Sequence, residues 1–319
     1  MSRTIGLRRN AALLLTVFAL LVPITSCASR PSSNEQSNSG NDSASAFPVK
    51  VELSGRQSVT LTEQPKRIVS LSPTATEVLY EIGAGEQVVA VDKNSDHPER
   101  APRKEFSALD TSASAVSEYR PDLVIAQAGS ADSLAEGLRE IDVPVLLTPS
   151  AENLQDSYDQ IKAVGRATGH GERATETVNR MRSQLDEVVE RTPEPRGELT
   201  YYHEISPDHF TATSESFVGS VYRKFGLTNI ADSAGEGKFP QLSAEKILRA
   251  NPDVIFLADT GSAGVTKEKV SQRAGWNSLT AVREGRIHEL DEDIASRWGP
   301  RVVELARAVS EAVDAAQQS

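Results

Sequence analysis

The sequence predicts an α/β protein of two lobes joined by one long helix. Three observations carry this. Gly171 to Arg191 reads as a single amphipathic helix. Short apolar runs alternate with helical stripes on both sides of it. A segment of the first half recurs in the second at a constant offset of 131 residues.

In the long helix, Ala174, Val178, Met181, Leu185 and Val188 fall four and three apart, making one apolar stripe. Glu172, Arg173, Glu176, Arg180, Arg182 and Glu187 take the other face, with Glu176/Arg180 and Arg182/Asp186 at pairing distance. Gly169-His170-Gly171 precedes it, and Pro193-Glu194-Pro195-Arg196-Gly197 ends it. At its helical rise such a rod spans ~30 Å, roughly one small domain.

Ahead of it, Phe47 to Thr62 alternates around Ser54-Gly55-Arg56, a β-hairpin pattern. Arg67 to Leu71 is a short buried strand. Pro73 then opens a helix, with Thr74 and Glu77 fitting a capping box. Gly83 and Gly85 close it. Strands follow at Val88–Val91, Pro121–Ala126 and Val145–Leu147, with helices near Ala113–Tyr119, Leu134–Glu140 and through Gly165. Behind the long helix, strands are expected at Leu199–His203, Asp253–Leu257 and Ile287–Leu290. Helices are expected up to Phe225, at Ser243–Ala250, at Trp276–Val282 and from Gly299 onward.

The repeat pairs Ser112-Ala113-Ser114 through Pro121-Asp122-Leu123-Val124-Ile125 with Ser243-Ala244-Glu245 through Pro252-Asp253-Val254-Ile255-Phe256. Pro-Asp turns are common, so two unrelated βα units could share it. Its position on either side of the long helix is what two related lobes require.

The 319 residues suffice for two lobes, and the formal charge of -11 with no basic cluster excludes a nucleic-acid partner. At the N-terminus, Arg3, Arg8 and Arg9 precede an apolar run, Ala11 to Ile24, too short to span a bilayer. Ile24-Thr25-Ser26-Cys27 follows, and Cys27 is the only cysteine, so no intrachain disulfide can form. The pattern is a secretion signal over residues 1–26 and resembles a bacterial lipobox, with Cys27 as the lipidated residue. Residues 27–46 are Ser/Asn-rich and read as a disordered tether. The remaining division is a first lobe at 47–168, the linking helix at 169–193 and a second lobe at 194–319.

Six motifs recur together here: Arg67-Ile68-Val69-Ser70-Leu71-Ser72-Pro73 with Thr76-Glu77, Ser95-Asp96-His97-Pro98, Pro121-Asp122-Leu123-Val124, Ser243-Ala244-Glu245 before Pro252-Asp253, Trp276, and Gly299-Pro300-Arg301. In this order they resemble the substrate-binding proteins of ABC importers for ferric siderophores, haem and cobalamin. Asp291 to Arg301 looks closest to actinobacterial lipoproteins of the ferric-dicitrate or ferric-siderophore type. The resemblance implies two Rossmann-like lobes with a ligand cleft between them and only slight closure, because a strut helix resists bending. It also implies a monomeric, lipid-anchored carrier outside the cell membrane that delivers an Fe(III) complex to a permease with its cytoplasmic ATPase, without a cofactor of its own. Haem and cobalamin are the alternatives on this scaffold.

In that family, lobe-surface glutamates meet permease arginines. Glu245 stands at the second-lobe position, while Ser114 replaces its first-lobe counterpart and Glu118, one turn on, is the substitute. Ligands of open α/β sheets sit beyond the strands' carboxyl ends. There this chain carries Asn94, His97, Asp110, Gln127, His203, Phe210, Phe239, Arg297 and Trp298. Cobalamin-binding members have aromatics where this chain has Asn94, Asp110 and Gln127, which argues against a corrin. Arg297 beside Trp298 either grips the oxygens of a ferric chelate or pairs with Asp291 or Asp293. His97, His203 and His209 with Glu204 or Asp96 lack the spacing of a metal site. A secreted hydrolase is the alternative of another class, but the chain has no nucleophile elbow, dinucleotide fingerprint or phosphate loop.

Overall fold

The computed structural model describes residues 47–53, 55, 57–234 and 237–318. The signal segment, Cys27 and the tether lie outside these residues, as do Ser54 and Arg56 of the expected hairpin turn. Strands β1 (Val49–Val51) and β2 (Val59–Leu61) pair antiparallel, with Val49 opposite Leu61.

Then come β3 (Ile68–Leu71), α1 (Pro73–Glu81), β4 (Val88–Val91), α2 (Ala113–Ser117), β5 (Leu123–Gln127), α3 (Asp132–Glu140), β6 (Val145–Thr148) and α4 (Leu154–Thr168). One local expectation is corrected. The cap of α1 is Ser72, whose side chain accepts from the Ala75 amide, with Pro73 in the first turn. Glu77 therefore does not close a capping box; it is only 3% exposed and turns inward.

The linking helix α5 (Gly171–Arg191) has the expected bounds and buries Ala174, Val178, Met181 and Leu185. Its charged face differs from the expected pairs. Arg180 pairs with Glu81 on α1, and Arg182 donates to Gln155 of α4 while lying over the Tyr158 ring. Arg180 and Arg182 thus reach neighbouring helices, while Arg191 pairs with Glu187 on its own helix.

The second half holds β7 (Leu199–Glu204), α6 (Phe217–Arg223), β8 (Leu227–Asn229), α7 (Ala244–Ala250), β9 (Val254–Leu257), α8 (Lys267–Ser271), α9 (Thr280–Arg283), β10 (Ile287–Glu289), α10 (Glu292–Ser296) and α11 (Val302–Gln318). Sequence periodicity missed β8, α8 and α10, which are three to five residues long and too short to display a period. The last helix begins at Val302 and not at Gly299.

Two separate four-stranded parallel sheets result, ordered β4-β3-β5-β6 and β8-β7-β9-β10. Their order is identical when each is read from its second strand, so the 131-residue repeat is structural. Ser112 and Ser243 each cap the helix that follows. Asp122 accepts from the Lys66 and Arg67 amides, and Asp253 from the Thr200 amide and hydroxyl. In both lobes this aspartate ties the start of one strand to the start of its neighbour.

Both sheets are buried on both faces, as parallel sheets are. In the first, Ile68, Leu123, Ile125 and Leu146 face one core, while Val69, Val124, Ala126 and Leu147 face another with α2 and α3. In the second, Tyr201, Val254 and Phe256 face the former core, and Tyr202, Ile255 and Leu257 pack around Trp276. The shared core runs from Ile68 and Leu79 through Tyr158, Met181 and Leu185 to Tyr222 and Val309. The lobes are therefore welded behind their sheets through α4, α5 and α11.

At Gly165, a Cβ would stand 2.3 Å from that of Ala174 and 3.1 Å from the His170 carbonyl. This close approach seats α4 on α5. Gly165→Ala should lower stability by about 1–2 kcal/mol, since overpacking outweighs the helix-propensity gain of about 1 kcal/mol. Thermal unfolding checks this; an unchanged or raised midpoint would contradict the close contact.

Candidate functional site

The carboxyl ends of both sheets carry the loops where a ligand of such a fold would sit. In the second lobe they enclose a cavity of about 400 Å³ lined by His203, Phe210, Phe239, Trp298, Val218 and Glu292, among others. Four expected residues meet here. Phe210 is 42% and Phe239 54% exposed, an unusual cost for large apolar rings unless something covers them. Phe210 is fixed by the Ile205 amide, which donates to its carbonyl at 2.8 Å, and by a bridge to Gln241. Trp298 stacks on Phe217 at 4.5 Å between centroids.

His203 lies one residue before the end of β7, with Nδ1 2.9 Å from the Tyr222 hydroxyl. Burial lowers its pKa to about 4, so the ring is neutral at physiological pH. His209 stacks on Trp276 at 5.7 Å, and His97 is exposed in the loop after β4. The three histidines occupy separate settings. Among the described residues, no group of three or more His, Cys, Asp or Glu could hold a metal ion.

Arg297 closes α10 and is 9% exposed. Its Nη1 lies 2.8 Å from Asp96 and 3.2 Å from Glu77, and its Nη2 is 2.6 Å from Asp293 and 3.0 Å from the Asn94 carbonyl. Glu77, Asn94 and Asp96 belong to the first lobe. Of the two readings of Arg297, the ion pair is the one formed: Asp293 is its partner at 2.6 Å, and Glu77 and Asp96 of the first lobe, which spacing could not reveal, are added to it. Arg301 adds a second cation 3.5 Å from Glu77. Burial nevertheless raises the Glu77 pKa to about 6 against both arginines.

A buried hydroxyl chain aims this loop. The Thr76 hydroxyl lies 2.9 Å from that of Ser70 and 3.0 Å from that of Ser95, and Ser95 donates to Asp92 at 2.5 Å. Asn94 and Arg297 line a second crevice of about 490 Å³ between the lobes, adjoining the first cavity at Glu292. His97, Asp110 and Gln127 line neither. Asp110 pairs with Lys93 at 2.8 Å and accepts from the Ser107 amide, which hold its pKa near 2; Gln127 donates to Ser150. Glu245, in the first turn of α7, and Glu118, at the end of α2, are both exposed.

Arg273 had no sequence signal, and nothing in the sequence showed what Glu204 or Asp259 would meet. Arg273 grips Glu204 through two 2.6 Å bonds and lies 4.6 Å over Trp276. Asp259, just past β9, is 1% exposed, and neither carboxylate oxygen has a partner among the described residues. Burial, and then the neighbouring Glu204, raise its pKa to about 6. A second inter-lobe link joins Lys238 to Glu152 at 3.1 Å, with side chains 35% and 68% exposed.

A family profile described as periplasmic binding protein matches residues 68–294. The uncharacterized ABC transporter substrate-binding lipoprotein YvrC of Bacillus subtilis (strain 168) is 27% identical over 315 residues, covering 96% of this chain and 98% of YvrC. The cobalamin-binding protein of Halobacterium salinarum is 28% identical over 313 residues, covering 93% of this chain and 82% of that protein. A possible iron-binding periplasmic solute-binding protein of Staphylococcus epidermidis superposes with a TM-score of 0.70 at 27% identity, covering 79% of this chain and 99% of that one.

The orphaned Asp259 makes stability pH-dependent. Its raised pKa favours the fold below about pH 4, and that contribution is lost as pH rises through 6. Asp259→Asn should therefore stabilise the protein by about 3 kcal/mol at pH 7.5, with most of the gain lost near pH 4. Chemical denaturation at both pH values checks the sign.

Proposed function

This chain belongs to the periplasmic binding protein family, and from that premise we propose that it captures a ferric-siderophore type complex between its lobes and hands it to a membrane permease. It is the extracytoplasmic substrate-binding component of an ABC importer, not an enzyme. The single observation that carries the ligand reading is the two-faced crevice. One side offers Phe210, Phe239 and Trp298 around an apolar cavity. The first-lobe side of the adjoining crevice offers polar groups at Lys93, Asn94 and Asp96. A compact chelate with an apolar flank and a shell of oxygens matches both. Ferric citrate fits less well, because Arg297, Lys93 and Lys238 are each already paired with carboxylates.

Cys27 is the lipidation site in this reading, and residues 27–46 tether the carrier to the outer face of the membrane. One acyl chain binds weakly, so a stable anchor needs more than one. Glu245 is the second-lobe contact for permease arginines, and Glu118 serves where the repeat leaves Ser114.

Titration of the purified chain against a ferric trihydroxamate, ferric citrate, haem, cobalamin and zinc tests the ligand class. The trihydroxamate should bind with quenching of Trp fluorescence, and Trp298→Phe should remove most of the quench while the buried Trp276 remains. Binding of cobalamin or zinc alone would overturn the reading. For docking, Glu245→Ala should reduce uptake severalfold with ligand affinity unchanged; normal uptake would remove Glu245 from the interface.

A further inference from the structure

The wall of the aromatic cavity is largely apolar, and most of its polar groups are already used. Ser296 donates to the Glu292 carbonyl, and the Glu292 carboxylate accepts from the Ser262 amide. Two lining groups differ. The Ser206 hydroxyl is buried with no partner among the described residues. Nε2 of His203 makes no hydrogen bond among the described residues either, and it is not sealed inside the core.

Tyr222 decides which form of His203 meets the cavity. Its side chain is fully buried against Tyr201, Phe256 and the His203 ring. Among the described residues, the only hydrogen-bonding neighbour of its hydroxyl is His203 Nδ1, at 2.9 Å. Burial keeps the phenol protonated well beyond its ordinary range. A proton on Nδ1 would leave the phenol hydrogen without an acceptor, an expense that buried donors avoid. The phenol therefore donates to Nδ1, and the proton of the neutral imidazole sits on Nε2. An Nε2–H is a donor with no lone pair for iron. Imidazoles that bind metals show the reverse arrangement, with the second nitrogen donating.

Resting on the ferric-chelate reading above, we infer that His203 Nε2–H and Ser206 Oγ hold an oxygen acceptor of the chelate, a hydroxamate or amide carbonyl, inside the aromatic cavity. Tyr222 is the positioning residue: it fixes the donor without touching the ligand. His203 thus reads the organic shell of the chelate and leaves its iron alone. A ligand that presents only hydrocarbon here leaves both polar groups unpaired and is rejected.

The test begins with ¹⁵N-labelled histidine in the full chain, which has five histidines; loss of one ring's signals in His203→Gln identifies His203. Its Nδ1 should be bare and its Nε2 protonated, both before and after addition of a gallium trihydroxamate, the diamagnetic counterpart of the ferric probe. A protonated Nδ1 overturns the inference. Tyr222→Phe should move the Nδ1 resonance to that of an unbonded nitrogen and weaken the gallium complex severalfold; an unmoved resonance removes Tyr222 from its role. His203→Phe should weaken the complex about tenfold, the usual measure of one lost hydrogen bond, while His203→Gln keeps an N–H donor and most of the affinity. Should His203→Phe fail to fold, Ser206→Ala carries the affinity test, with a severalfold loss expected. Unchanged affinity in the folded variants overturns the inference and leaves the ferric-chelate reading standing. If the unaltered chain binds haem and no trihydroxamate, that reading falls and the inference falls with it.

Discussion

The guanidinium of Arg297 is the constraint on which the crevice depends. It reaches from the second lobe to Glu77, Asp96 and the Asn94 carbonyl of the first. Burying such charges is expensive, and Glu77 reports the cost through its raised pKa despite two nearby arginines. Most of the stabilisation comes instead from the apolar weld behind the sheets, through α4, α5 and α11. What the buried ion cluster supplies is geometry. Two lobes held only by apolar packing could slide; three first-lobe acceptors on one planar fork fix their distance and rotation.

That division of labour also organises the ligand site. The weld lies behind the sheets, and the carboxyl ends of the strands open on the other side. Aromatic rings from the second lobe and polar loops from the first then face one space. The hydroxyl chain Ser70, Thr76, Ser95 and Asp92 holds the first-lobe loop so that Asp96 meets Arg297.

The architecture was legible because its signals are local. The stripe of α5 repeats over 21 residues, and the Pro-Asp repeat marks matching corners of two sheets. Phe210, Phe239, His203 and Trp298 were legible by position, since each follows or ends a predicted strand or precedes a predicted helix. Arg297 was found as a residue, with the Asp293 pair as one of its two readings; its first-lobe partners were not. Its partner Glu77 lies 220 residues away, and no helical or strand period links such positions. Glu77 itself looked like a cap because Thr74 and Glu77 have the spacing; Ser72, two residues earlier, took that task. What Glu204, Arg273 and Asp259 do was hidden for the same reason: each matters through a partner, or the lack of one, that only the folded chain brings near.

The links that Arg297 and Lys238 make between the lobes are unequal. Around Arg297 the charges are buried; the pair Lys238–Glu152 is half in solvent, where such contacts contribute ~0–1 kcal/mol. Lys238 also precedes Phe239, the most exposed ring of the aromatic cavity. Of the two, the Lys238–Glu152 contact parts at the lower cost, and it stands beside the exposed ring of Phe239, so the crevice is held firmly at one edge and lightly at the other.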